Sequence, residues 1–104
     1  LVERAAQVGA RLLDDLRPLA ELPIVGEVRG VGLMLAVELA RDTPDGPEIG
    51  ARASRDLRDR HGLIVRAHES VLSLSPPLVI TDDEVERVVG ALQDTLTRIG
   101  EGLA

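Results

Sequence analysis

Residues 24–39 read IVGEVRGVGLMLAVEL, and apolar side chains recur near every second position along this stretch. A period of two is typical of strands that bury one face of a sheet. Gly30 and Gly32 interrupt it where a bend or a close backbone approach fits. The stretch therefore predicts two strands joined by a bend at 30–32. It is not a dinucleotide-binding loop, because no third glycine follows at the required step and no helix begins after it.

Three segments around this stretch show the three- and four-residue apolar spacing of amphipathic helices. The first covers residues 1–19. The second covers residues 47–60, with Gly62 as its C-terminal stop. The third begins with a Thr-Asp-Asp-Glu capping box at 81–84 and ends near Ile99.

Two further short strands are predicted at residues 63–66 and 71–75, and the turn-forming residues 68–70 between them indicate a hairpin. A surface loop is predicted at 41–47. The resulting order is helix, two strands, helix, two strands, helix. This order predicts an α+β fold, a small and largely antiparallel sheet of about four strands with three helices. At 104 residues, the chain has the size of a single domain.

The composition excludes several classes of protein. Eighteen acidic and 12 basic side chains give a formal net charge of −6, which argues against a nucleic acid partner. The chain contains no cysteine and no aromatic residue, so it has no disulfide, no cysteine-ligated metal and no base-stacking side chain. Every basic side chain is an arginine, and without a lysine no side chain can form a Schiff base with a carbonyl cofactor.

The ends and the hydropathy of the chain set further expectations. The chain begins with Leu1 inside an amphipathic pattern, so we expect it to be part of a longer protein. No apolar run approaches the 18 or more residues of a membrane span, and no signal-peptide pattern is present. We therefore expect a cytoplasmic protein with no membrane partner.

Few side chains have the spacing of catalytic or metal-binding groups. His61 and His68 have no acid nearby at ligand spacing, so we predict no metal site. Solvation or helix capping accounts for three acidic pairs, which are Asp14-Asp15, Asp56/Asp59 and Asp82-Asp83. Four serines lack a histidine and an acid at triad spacing, and they are Ser54, Ser70, Ser73 and Ser75. The residues alone predict no catalytic group.

Arg66 is a candidate binding residue. It closes the apolar run 63–65, and its planar guanidinium is suited to bind a carboxylate through two parallel hydrogen bonds. Its spacing fits equally well a structural arginine that pairs with Glu69 or is solvated at the edge of the sheet. Arg29 has the same two interpretations with less support.

Several stretches, taken together and in order, resemble a known family. VGEVRGVGLM at 25–34 precedes VEL at 37–39, and GLIVR at 62–66 precedes LSLSPPLVIT at 72–81. This series is similar to the small domain of class III (omega-type, subgroup II) pyridoxal-phosphate aminotransferases. The resemblance extends over residues 1–99 and implies the C-terminal small domain of a longer enzyme.

The resemblance implies what the whole enzyme does. Family members transfer an amino group between an amine or amino acid and a keto acid through pyridoxal phosphate, which a separate large domain holds. This fragment would then contain no cofactor-binding and no catalytic residue and would be inactive in isolation. Its partners would be its own large domain, the second subunit of a homodimer, and the small-molecule amine and keto acid.

Two positions distinguish the substrate-specific branches of the family that this sequence resembles. In the amine–pyruvate and β-alanine–pyruvate branch, an arginine at the position of Arg66 binds a substrate carboxylate and swings out to admit an apolar amine. In the ornithine and acetylornithine branch, an arginine at the position of Ser73 holds the α-carboxylate. The resemblance therefore implies the omega-amine branch. The alternative from another class is a free-standing, non-catalytic α+β interaction module.

Overall fold

The computed structural model describes residues 2–32, 34–75 and 80–103. These residues form three α-helices and one four-stranded sheet, which confirms the predicted α+β fold. The elements in chain order are α1 (Val2–Leu16), β1 (Val25–Val31), β2 (Met34–Leu39), α2 (Ile49–His61), β3 (Arg66–His68), β4 (Val71–Leu74) and α3 (Asp82–Leu103).

The strands form one sheet in the order β1-β2-β4-β3, and every neighbouring pair is antiparallel. The first hairpin turns at Gly32, whose φ of 58° lies in the left-handed region that glycine favours, so the predicted bend is confirmed. Leu33 lies outside the described residues. The register of β1 shifts at Gly26, between its two paired neighbours. In the second hairpin, Arg66 is paired with Ser73.

Alternate residues divide the sheet into two faces. Leu35, Val37 and Leu39 of β2 are buried, as are Leu72 and Leu74 of β4. The residues between them are half-buried or exposed and form the opposite face. Helical side chains that are almost fully buried complete the core, and they are Leu12, Leu16, Ile49, Leu57, Leu92 and Leu96. The core therefore lies between one face of the sheet and the helices.

The first helix is shorter than predicted. It ends at Leu16, and residues 17–21 continue as a 3-10 helix with Pro18 in its first turn. Proline has no N–H and therefore cannot donate the next hydrogen bond of an α-helix. Leu19 is nevertheless buried, so the change of helix type preserves the apolar face that the sequence pattern indicated.

The second helix begins at Ile49, after a single 3-10 turn at Gly46–Glu48 that contains Pro47. It ends at His61, and Gly62 adopts a left-handed φ of 65° beyond it, so the predicted glycine stop is confirmed.

The third helix begins with the predicted capping box. The Thr81 N–H donates to the Glu84 carboxylate at 2.9 Å, and the Glu84 N–H donates to the Thr81 hydroxyl at 3.2 Å. These contacts with Thr81 hold the pKa of Glu84 below its usual value. The helix extends to Leu103 and is longer than predicted. Among the described ranges, no helix combines the length and the apolar character needed to cross a membrane.

The prediction of a strand over residues 63–66 is wrong except for its last residue. Strand β3 begins at Arg66 and ends at His68. The preceding carbonyl of Val65 accepts a hydrogen bond from the Ser54 hydroxyl of α2 at 3.1 Å. The backbone at this point is thus held by a helix, and the strand ladder starts one residue later.

Candidate functional site

An open groove of about 580 Å³ lies beside the start of β3 and the end of β4. This volume is within the usual range for sites that bind small molecules. Its walls are mainly apolar with three polar side chains, and the lining residues are Leu12, Met34, Leu63, Ile64, Val65, Arg66, Ser73, Leu74, Ser75, Ile80 and Val88. We call it the Arg66 groove. Residues 76–79, in the middle of the LSLSPPLVIT stretch, lie outside the described residues.

Arg66 is the only ionisable side chain among the described residues of this lining. It is exposed at the first position of β3, and its register partner Ser73 lies on the same face of the sheet. Within the described ranges, the Arg66 guanidinium forms neither a hydrogen bond nor an ion pair. A planar guanidinium with small and apolar neighbours is well placed to bind a carboxylate, because it can donate one hydrogen bond to each carboxylate oxygen.

Glu69 was the intramolecular partner that the spacing allowed for Arg66. The structure pairs it with Arg41 instead, with 3.3 Å between the guanidinium nitrogen and the carboxylate oxygen. Glu69 lies in the β3–β4 turn with a left-handed φ of 53°, so its backbone turns back directly after β3. The carboxylate is therefore engaged away from Arg66.

Arg29, the second candidate, is neutralised by its neighbours. Its Nη1 lies 3.2 Å from Glu27 and 3.5 Å from Glu38 on the outer face of the β1–β2 hairpin. The structure thus favours the structural interpretation for Arg29. Arg29 and Arg66 are both exposed arginines on strands. Among the described residues, Arg29 has carboxylate partners and Arg66 has none.

The two histidines do not lie together in a metal site. His61 Nε2 lies 2.8 Å from Asp94 at the contact between α2 and α3. His68 is exposed on β3, two residues after Arg66 and on the same side of the strand. In the described part of the chain, no group of three or more potential ligands could hold a metal ion.

Most of the acidic residues considered above form ion pairs with nearby arginines. Asp14 pairs with Arg17 at 3.5 Å, and Asp15 pairs with Arg11 at 3.6 Å. Arg11 also contacts Asp82 at the start of α3. These contacts agree with a structural role for the pairs on helix surfaces.

Solvation on a helix surface was the expected explanation for Asp56, and this expectation is wrong. Its side chain is only 20% exposed and accepts hydrogen bonds from Arg98 and from the buried Thr95. Hydrogen bonding from Arg98 outweighs burial and lowers the pKa of Asp56 to about 2. Arg98 and His61 likewise lower the pKa of Asp94. The sequence did not predict that Asp56 and Asp94 share Arg98, because helical periodicity does not show which helices pack together.

Comparison of the sequence with known protein families and proteins identifies similar proteins along nearly the whole chain. The family model for class III aminotransferases matches residues 1–96. A diaminobutyrate–2-oxoglutarate aminotransferase from Rhizobium meliloti is 44% identical over 117 residues, which is 100% of this chain and 25% of the relative.

Solved structures give the same result. The omega transaminase of Pseudomonas jessenii in complex with PMP is 31% identical with a TM-score of 0.87, over 98% of this chain and 24% of that one. An (S)-enantioselective omega-transaminase from Thermomicrobium roseum is 36% identical with a TM-score of 0.82, over 93% of this chain and 23% of that one. The chain spans about a quarter of the length of these proteins.

Proposed function

Because this chain belongs to the class III aminotransferase family, we propose that it is the C-terminal small domain of a longer pyridoxal-phosphate enzyme of the omega type. The parent moves an amino group between an amine or amino acid and a keto acid. The omega transaminases among the structural neighbours support this branch. The free-standing interaction module is not favoured, because the similarity to aminotransferases extends along nearly the whole chain.

The observation that carries the proposal is the guanidinium of Arg66, which lies in a largely apolar groove and pairs with none of the residues that the structure describes. Its function is to bind the carboxylate of the keto acid or amino acid. Glu69, which could have been a structural partner for Arg66, pairs with Arg41 instead. The serine at position 73 is small and leaves space beside the guanidinium for a bound carboxylate.

The cofactor is held elsewhere in the parent. When bound, pyridoxal phosphate carries the amino group between the two half-reactions. The chain has no lysine, and the lining residues that the structure describes in the Arg66 groove include no carboxylate to pair with a pyridine nitrogen. The residues described here therefore do not fit a pyridoxal phosphate site, and we expect the chain in isolation to be inactive.

The partners follow from the same proposal. The Arg66 groove is open, and Ile64 and Met34 on its border are 84% and 71% exposed. Exposed apolar side chains around a groove are typical of a surface that another part of a protein covers. We assign this role to the large domain of the parent, which acts as a homodimer in the cytoplasm.

The test is Arg66→Ala in the intact enzyme that carries this chain. A charge-assisted pair with a carboxylate contributes about 1.5–3 kcal/mol, so its loss raises the KM for the keto acid roughly ten- to a hundredfold. Turnover of a purely apolar amine in its own half-reaction stays unchanged. Arg66→Lys restores only part of the loss, because an ammonium group is a point charge and lacks the planar fork.

Arg29→Ala is the matched control, since it removes an exposed arginine that already has carboxylate partners. We expect the KM for the keto acid to stay unchanged in this variant. Equal losses for the keto acid and the apolar amine in Arg66→Ala would show that Arg66 is structural and would contradict the proposed role.

A further inference from the structure

The hydroxyl of Ser54 makes a hydrogen bond that leaves its own helix. Ser54 lies in the middle of α2, and its Oγ donates to the carbonyl oxygen of Val65 at 3.1 Å in a partly buried setting. A serine within a helix usually bonds to a carbonyl of the preceding turn or to water. Here the acceptor is the peptide immediately before Arg66.

The segment that contains this carbonyl is held at its start by the Leu63 N–H, which donates to the carbonyl oxygen of Leu57 in α2 at 3.1 Å. Residues 63–65 connect the Gly62 cap of α2 to β3 without regular secondary structure. Ile64 is exposed, whereas the Val65 side chain is buried in the core. The ladder with β4 begins only at Arg66. Ser54 thus supplies a side-chain hydrogen bond to the peptide that leads directly into the ladder at Arg66.

We propose that Ser54 is a positioning residue for Arg66, an inference that rests on the proposed function of Arg66. The orientation of the Val65 peptide sets the direction in which the chain enters β3 and therefore the Cα–Cβ direction of Arg66. Two parallel hydrogen bonds to a carboxylate require both guanidinium N–H groups in place. Small displacements of a positioned group weaken binding strongly.

The test is Ser54→Ala in the intact enzyme. Loss of one side-chain to backbone hydrogen bond raises the KM for the keto acid by roughly two- to tenfold. The dissociation constant of butanoate, a carboxylate without a reacting group, rises by the same factor in calorimetry. The kcat for an apolar amine in its own half-reaction is unchanged. Ser54→Thr keeps the hydroxyl and restores both constants.

Ala51→Gly is the matched control for stability. It lies in the same helix and lowers stability by the usual amount of a helical glycine without removing a hydrogen bond to Val65. Its denaturation midpoint falls, and its butanoate dissociation constant stays at the wild-type value. If Ala51→Gly weakens butanoate binding as much as Ser54→Ala does, the effect is one of stability and the inference fails.

The double variant separates this inference from the proposed function. In an Arg66→Ala background, Ser54→Ala causes no further loss of butanoate affinity, because the two residues act through one guanidinium. A full additional loss in that background overturns the positioning role. If Arg66→Ala alone leaves butanoate affinity unchanged, the proposed function fails. If Arg66→Ala weakens binding and Ser54→Ala does not, only the Ser54 inference fails.

Discussion

Arg98 on α3 donates to both carboxylate oxygens of Asp56 on α2, from Nη1 to Oδ1 at 3.2 Å and from Nη2 to Oδ2 at 2.6 Å. The fully buried Thr95 donates its hydroxyl to Asp56 Oδ2 at 2.6 Å. Charge-assisted hydrogen bonds are stronger where water is partly excluded. This cluster therefore joins the two helices that pack together over the sheet.

The first prediction concerns Asp56→Asn. We expect the variant to lose about 1–2 kcal/mol of stability at pH 7, since hydrogen bonds to charged groups are among the stronger ones. Asp59→Asn is the control, because Asp59 is an exposed neighbour in the same helix and pairs with the adjacent Arg58. That exposed pair contributes about 0–1 kcal/mol. The measurement is urea denaturation followed by far-ultraviolet circular dichroism, since the chain has no aromatic residue for fluorescence.

The pH dependence of the same carboxylate has a definite sign. Hydrogen bonding from Arg98 lowers the pKa of folded Asp56 from 3.8 to about 2. The folded state therefore binds fewer protons than the unfolded state between these values. The ionised Asp56 carboxylate therefore contributes its full share of the folding stability above about pH 4, and this share is lost as the pH falls through about 2. We expect the difference between wild type and Asp56→Asn to shrink over this range. An unchanged difference at pH 2 would contradict the ion-pair explanation.

The Asp56 cluster also shows where prediction from sequence ends. Apolar spacing located all three helices and the strands β1, β2 and β4, because it reports which face of each element is buried. It could not indicate that Asp56 meets a residue 42 positions later, since this depends on how α2 and α3 pack. The predicted start of β3 was wrong for the same reason. The Ser54 side chain of α2 binds the Val65 carbonyl before the strand, and this contact also depends on packing. Arg66 is a candidate because of its position after an apolar run and the family resemblance, and only the structure shows that its guanidinium has no partner among the described residues.

The second prediction compares two helical glycines. Gly9 of α1 faces the backbone of the β1–β2 turn, and a Cβ at this position would overlap the carbonyl oxygen of Gly32. Gly90 of α3 faces open space. Alanine gains up to about 1 kcal/mol over glycine in a helix, whereas overpacking costs about 1–3 kcal/mol. We expect Gly90→Ala to stabilise the chain and Gly9→Ala to destabilise it in urea denaturation. Equal stabilisation by both variants would show that α1 does not pack against the turn.

The third prediction is that the isolated chain forms no side-chain adduct with pyridoxal phosphate. An aldehyde forms a stable imine with a primary amine, and this sequence offers no ε-amino group, because all 12 of its basic side chains are arginine. After borohydride reduction, peptide mass spectrometry is expected to find cofactor only on the N-terminal amine, and acetylation of that amine removes this signal. Arg66→Lys is the matched positive control, since it introduces a single ε-amino group at an exposed position. A stoichiometric adduct on a side chain of the unsubstituted chain would contradict the assignment of cofactor binding to another part of the parent enzyme.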